Sequence, residues 1–192
     1  MVASSKPAAK KSAAKPKVTD SHTKPKVRGA KPLTHGSDFA GLGTMSLAIE
    51  KLAKLCPEAF MPHHLFSCDT LLRARPSSAS HNPVKFHKDI LERIDADLPD
   101  SLDLYSWTAP CQGLSKAGKQ KGSDDPRTQL LFKSLEFISK VKPKAFVMEN
   151  VPTLATHNKN KDLWQTILSQ LIACSYDVED NVVNSSAYLP QN

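Results

Sequence analysis

The chain has 192 residues, a length for one domain, and 40% of them are hydrophobic, enough for a packed core. No apolar run reaches the roughly 18–20 residues that span a bilayer, and no apolar signal opens the chain, so neither membrane insertion nor export is expected. The net charge of +7 is uneven: residues 1–36 hold nine Lys/Arg against Asp20, while the remainder carries 17 basic and 18 acidic groups. Cys56, Cys68, Cys111 and Cys174 form no CxxC pair and no zinc spacing. A reducing compartment without a disulfide framework or a metal site is therefore expected.

Residues 1–36 are rich in Lys, Ala, Pro and Ser and almost lack large apolar side chains. They cannot bury enough surface to offset ordering, so a disordered basic tail is expected there, with the folded domain at 37–192. Such a tail suits contact with nucleic-acid phosphates or nuclear import, with a solubilising tail or an organelle transit segment as the alternatives, and the nucleus is the expected compartment.

From Ser37 onward, short apolar runs alternate with helical patterns. Asp38-Phe39 leads into a glycine turn, and a helix is predicted from Thr44 to Leu55 with Leu47, Ala48, Leu52 and Leu55 as its apolar face. Strands are predicted at His64–Cys68, Leu102–Trp107, Ala145–Met148 and Tyr176–Val183. Asp125-Pro126 reads as a helix start. The helix after it carries Leu130, Leu131, Leu135, Ile138 and Val141 on one face. A further helix spans Asp162–Cys174, with Leu163, Trp164, Ile167, Leu168, Leu171 and Ile172 at helical steps. This alternation predicts an α/β domain with a largely parallel sheet.

Phe39-Ala40-Gly41-Leu42-Gly43-Thr44 joins a strand to a helix. Glycines allow a tight turn and close ligand approach, and the helix start offers free N–H groups. The third glycine of the dinucleotide fingerprint is missing, which argues against NAD. Asp69 and Asp89 follow on as acceptors suited to a nucleoside. Pro110-Cys111-Gln112 lies beyond one predicted strand and Glu149-Asn150-Val151-Pro152 beyond the next. One crossover separates them, so thiol and carboxylate should share the sheet's carboxyl rim, where open α/β sheets bind ligands. A thiol is a usable nucleophile near neutral pH, and a carboxyl beside it can move a proton or bind a base. The stretch from Ser115 to Gly122, with Lys116, Lys119 and Lys121, reads as a basic loop suited to phosphates and to closure over a nucleotide.

In order, these pieces resemble the DNA (cytosine-5) methyltransferase family. Phe39–Gly43 looks like its cofactor motif and Lys88-Asp89-Ile90 like its adenine-contacting motif. Pro110-Cys111-Gln112-Gly113-Leu114-Ser115 looks like the nucleophile motif, and Arg127-Thr128-Gln129-Leu130 like the short motif after it. Glu149-Asn150-Val151 looks like the base-binding motif. Asn184 to Asn192 looks like the opening of a motif that continues into arginines.

The resemblance implies a Rossmann-like fold binding S-adenosylmethionine, and duplex DNA as partner with the target cytosine flipped out. It implies Cys111 attacking C6 and Glu149 engaging the N3/N4 edge, with Gln112 and Asn150 beside them. Phe39 to Thr44, Asp69, Asp89, Ile90, Pro110 and Leu130 would form the cofactor site. Ser115, Lys116, Lys119, Lys121 and Arg127 would meet DNA. A tRNA cytosine-C5 methyltransferase and a non-catalytic DNA- or cofactor-binding remnant are the alternatives.

The chain departs from the family pattern in three places. Ser37 stands where the family usually has an acid, with Asp38 one residue on. Ser67 stands opposite the usual ribose-binding Glu, leaving Asp69 as the substitute. The arginines, the recognition region and the final helix do not appear before Asn192. The chain is thus expected to be C-terminally truncated, weak or inactive alone, and to need a further recognition segment or subunit.

Overall fold

A computed structural model describes residues 2–5, 29–71, 81–111 and 128–188. In chain order the elements are β1 (Val2–Ser5), β2 (Lys31–Asp38), α1 (Thr44–Leu55), β3 (Phe60–Cys68), β4 (Lys85–His87) and β5 (Leu104–Trp107). Then come α2 (Thr128–Val141), β6 (Ala145–Met148), the short α3 (Thr153–Thr156), α4 (Lys161–Ala173) and β7 (Tyr176–Glu179). They build one seven-stranded sheet of order β4-β3-β2-β5-β6-β1-β7. The pairs among β2 to β6 are parallel, and β1 runs antiparallel to both β6 and β7. The chain winds outward from β2 to β4, then crosses back to β5 and proceeds the other way. The order reverses between β2 and β5, and that switch point opens a crevice at the carboxyl edge. No described helix is long and apolar enough to cross a membrane.

The α/β expectation holds, and the core lies where the periodicities of the α2 and α4 stretches pointed, except that Ile172, assigned to the buried face, is exposed. Leu131, Leu135 and Ile138 of α2 and Leu163, Trp164, Ile167 and Leu171 of α4 are buried with Tyr105, Trp107, Phe146 and Tyr176 of the sheet. The face assigned to α1 is corrected. Leu47, Leu52 and Leu55 are exposed, and Ser46 and Ile49 are the buried pair.

The tail boundary is corrected as well. Val2–Ser5 forms a strand inside the sheet, and Lys31–Gly36 belongs to β2 rather than to a disordered segment. Residues 6–28 lie outside the described part. β2 lacks an apolar run because polar partners hold it. The Thr34 N–H and hydroxyl both donate to Asp103 Oδ2, at 2.8 and 2.9 Å, and the Asp103 N–H returns to the Thr34 hydroxyl at 2.9 Å. His35 stacks on His64 with ring centroids 4.3 Å apart. These contacts join β2 to β5 and β3 and set the register that delivers the loops of the carboxyl edge.

Gly36 sits at a register irregularity between β2 and β3. A Cβ there would lie 2.1 Å from Phe66 Cε1 and 2.5 Å from Cζ. The Phe66 ring is buried, with Phe137 5.5 Å from it and the Arg93 guanidinium 5.2 Å above it, so it has no free side to retreat to. Gly36→Ala is expected to cost about 3 kcal/mol of stability by overpacking. A urea titration should show Phe66→Leu giving part of that back in the double variant. A cost below about 0.5 kcal/mol, the usual range for surface changes, would refute the close approach.

His35 and His64 are buried beside Ser46 and Ser67, with His63, His81 and Glu50 as the other titratable neighbours. Burial, then the charges of His64, His63 and His81, push His35 down to about 3, and burial also lowers His64. The folded chain therefore refuses protons that the unfolded chain takes below its ordinary value of 6.5. The resulting stability is complete above that pH and is lost progressively as pH falls toward 3. From pH 6.5 to 5, His35 alone should remove about 2 kcal/mol. His35→Phe, which can keep the stack, should flatten the slope of unfolding free energy against pH. An unchanged slope would assign the acid lability elsewhere.

Candidate active site

The sheet register builds the crevice floor. Ser37, Ser106 and Val147 stand side by side on β2, β5 and β6. Small side chains in this row leave a cleft of about 240 Å³, which Phe39 to Leu42, Thr44, Met45, Thr108 and Glu149 also line. The Ser106 hydroxyl donates to Ser37 Oγ at 2.9 Å.

Side chains alternate across a sheet, so the next row, Asp38, Trp107 and Met148, faces the opposite side. Asp38 is fully buried there. Arg93 donates to its two oxygens at 2.8 Å each, and the Tyr105 hydroxyl donates at 2.6 Å. The one-residue displacement of the acid thus moves it from the cleft into the core. Ser37 takes the cleft position.

The glycine turn is wound tightly. Phe39, Gly41 and Gly43 have φ of 56°, 54° and 80°. Glycine adopts this region freely, whereas a bulky aromatic there is strained. The Gly43 N–H donates to the Ala40 carbonyl within the turn at 2.8 Å, and further hydrogen bonds tie the turn to its neighbours. The Ala40 N–H donates to the Cys68 carbonyl at 3.0 Å, the Gly41 N–H to Asp69 Oδ2 at 2.7 Å, and the Thr108 hydroxyl to the Phe39 carbonyl at 2.9 Å. A Cβ on Gly41 would meet nothing within 4 Å, so a ligand can approach its backbone. No side chain caps the start of α1 at Gly43, and Thr44 and Met45 of its first turn line the cleft. An uncapped helix start with its dipole suits the negative end of a ligand.

The other predicted residues distribute as follows. Asp69 is buried and braces the turn, its second oxygen accepting the Leu71 N–H at 2.7 Å. Asp89 caps the Leu91 N–H at 2.9 Å, and Ile90 beside it is buried. Pro110 and Cys111 are half-buried just past β5. Glu149 is exposed at the end of β6, lines the cleft, and donates its backbone N–H to the Trp107 carbonyl at 3.1 Å. Asn150 joins the two rims. Its amide donates to the Ala109 carbonyl at 3.1 Å, and its oxygen accepts the Val151 N–H at 2.9 Å. Glu149 also borders a second cavity of about 400 Å³ with Trp164, Asp180 and Val182. Leu130 is half-buried in the first turn of α2 and does not line the glycine-turn cleft. Gln112, Ser115, Lys116, Lys119, Lys121 and Arg127 lie outside the described residues, as do the helix start at Asp125-Pro126 and the segment from Leu189 to Asn192.

Ser37, Ser106, Thr108 and Val147 had not been singled out as cleft residues. Their sequence signal is a serine, threonine or valine two to four places before each strand-end motif, legible only once the strand register is known.

An open α/β sheet with a glycine turn, a thiol and a carboxylate on one edge at the switch point defines a class of nucleotide-handling domains. The family model for C-5 cytosine-specific DNA methylase matches residues 35–192, and the chain belongs to that family. It is similar to the Type II methyltransferases M.Sau96I of Staphylococcus aureus (34% identical) and M1.ScrFI of Lactococcus lactis subsp. cremoris (39%). It is likewise similar to M.HpaII of Haemophilus parainfluenzae (34%). The alignments cover 78%, 80% and 80% of this chain but 34%, 38% and 42% of those relatives. The chain therefore spans well under half the length of each.

Proposed function

We propose that this domain carries the chemistry of S-adenosylmethionine-dependent methyl transfer to C5 of cytosine in DNA. The observation that carries the reading is the shared rim. Glu149 lines the glycine-turn cleft, and Asn150 bonds the Ala109 carbonyl, two residues before Cys111.

The residues present fit the cofactor. The open Gly41 backbone and the uncapped α1 start suit its amino-acid end, the serine floor leaves room, and Asp69 acts by bracing the turn. When bound, S-adenosylmethionine supplies an activated methyl group. Cytosine C5 is a poor nucleophile until C6 is attacked. Cys111 Sγ forms a bond to C6 as Glu149 stabilises the protonated N3, and the ring's electrons move to C5. C5 would take the methyl group, with the sulfonium S–CH3 bond breaking to leave S-adenosylhomocysteine. Loss of the C5 proton and breakage of the S–C6 bond then restore the aromatic ring and the free thiol. Reaching C6 requires the base outside the helical stack.

Ser115, Lys116, Lys119, Lys121 and Arg127 are assigned to phosphate contact, with the basic residues of 6–31 adding sequence-independent attraction. Nuclear residence rests on that basic segment alone, since the relatives named above are bacterial. Selection of a target sequence is assigned to polypeptide beyond these 192 residues, on the same chain or another.

The test is a duplex carrying 5-fluorocytosine, incubated with S-adenosylmethionine and the chain, alone and with a relative's remaining segment supplied. Fluorine replaces the departing proton, so the attack should leave a covalent adduct visible by mass spectrometry. No adduct in either case overturns the reading in favour of a non-catalytic remnant, and an adduct with tRNA alone replaces DNA by RNA.

A further inference from the structure

The segment from Thr108 to Cys111 is tied on two sides. The Thr108 hydroxyl donates to the Phe39 carbonyl at 2.9 Å, linking the segment to the glycine turn. The next carbonyl, that of Ala109, accepts the Asn150 amide at 3.1 Å, linking the segment to the Glu149 loop. Phe39 is the one residue of the turn held at positive φ without being glycine. A bulky residue keeps that conformation only where its surroundings impose it. The hydroxyl on its carbonyl is such a restraint, and it comes from a residue three places before Cys111. Thr108 also lines the cleft, so a molecule seated there touches the bonded pair.

We propose that Thr108 is a positioning residue that couples occupancy of the glycine-turn cleft to the placement of Cys111. A ligand that fixes the turn fixes the Phe39 carbonyl. Through the Thr108 hydroxyl it then narrows the range of the Cys111 loop, and Asn150 holds the same loop toward Glu149. The coupling is reciprocal, so a change at Thr108 must alter both cofactor affinity and the cofactor's influence on the thiol. This rests on the cleft being the S-adenosylmethionine site.

The test uses the whole chain, with Thr108→Val removing the donor at nearly constant shape and Thr108→Ser restoring it. S-adenosylhomocysteine affinity is measured by titration calorimetry, and the rate of Cys111 alkylation by iodoacetamide is mapped with and without that ligand. Thr108→Val should bind roughly 3- to 10-fold more weakly, the range for one lost hydrogen bond. The ligand should change Cys111 alkylation by about threefold or more in wild type and Thr108→Ser, and hardly at all in saturated Thr108→Val. A purely structural role would lower the melting temperature without abolishing that ligand effect. Equal loss in the Ser and Val variants, or a Val variant matching wild type on both measures, overturns the coupling alone. A wild-type chain that binds no S-adenosylhomocysteine removes the functional reading as well.

Discussion

Arg93→Leu is expected to lower the unfolding free energy by about 3–5 kcal/mol, because it leaves the Asp38 carboxylate buried and without its cation. Asp38 is wholly buried, and its two oxygens take the guanidinium as a fork at 2.8 Å each. Burial opposes the charge on Arg93, yet the attraction and hydrogen bonding of Asp38 outweigh it and hold Arg93 above its ordinary value. Burial and the Asp38 charge likewise raise Tyr105 far above its usual range, so its phenol stays protonated and donates. The guanidinium also lies 4.7 Å from the Phe137 ring centroid, so leucine forfeits packing and a cation–π contact too. A domain holds about 5–15 kcal/mol in all, so the variant should be marginal. The urea midpoint should fall by roughly 2 M. Asp38→Asn together with Arg93→Leu removes the uncompensated charge and should cost less than Arg93→Leu alone. A double variant as unstable as the sum of its singles would contradict the ion-pair account. Asp38 directly precedes Phe39, so the single variant should also loosen the turn and weaken S-adenosylhomocysteine binding.

That pair marks the limit of what the sequence made legible. Asp38 and Arg93 stand 55 positions apart, and nothing local marks them as partners. α1 at Thr44–Leu55 and β6 at Ala145–Met148 match their predicted bounds, because a period, a glycine and flanking polar residues all agreed. α1 still buries Ser46 and Ile49 rather than its leucines, since the side facing β3 meets polar His64. Periodicity finds an element, whereas its neighbour decides which side is covered. β2 was illegible for a related reason. Leu33-Thr34-His35-Gly36 has no apolar alternation, and its burial comes from Asp103, His64 and Phe66, all supplied from distant segments. β1 carried no signal at all, because its place rests on backbone pairing with β6 and β7. The site fared better. Strand-end motifs put Cys111 and Glu149 on one edge, since parallel topology alone dictates it. The row parity that separates Ser37 from Asp38, and the hydroxyl of Thr108, needed the register.

Cys111→Ser should abolish the 5-fluorocytosine adduct, slowing attack by on the order of 10⁴-fold or more. A serine hydroxyl is far less nucleophilic than a thiol near neutral pH. Cys111 is half-buried on a loop past β5, so serine fits without repacking and the fold should be unchanged. Glu149→Gln should slow adduct formation by roughly 10²–10³-fold, the scale of losing a positioned proton-handling group. Glutamine still donates and accepts at the base edge, so DNA binding should hardly move while the rate falls. Glu149 is exposed, so the variant should unfold with wild-type stability. Paired titrations distinguish chemistry from binding: DNA affinity within about twofold of wild type with the adduct lost fits a catalytic pair. If Cys111→Ser still forms the adduct, the bond lies on another cysteine, and half-buried Cys174, just before β7 and against α2, stands at the amino edge of the sheet, opposite the rim. Cys68 is buried at the end of β3 and burial pushes its thiol well up, so exposed Cys56 would remain, and a Cys56→Ser variant that removed the adduct would move the reaction away from the cleft.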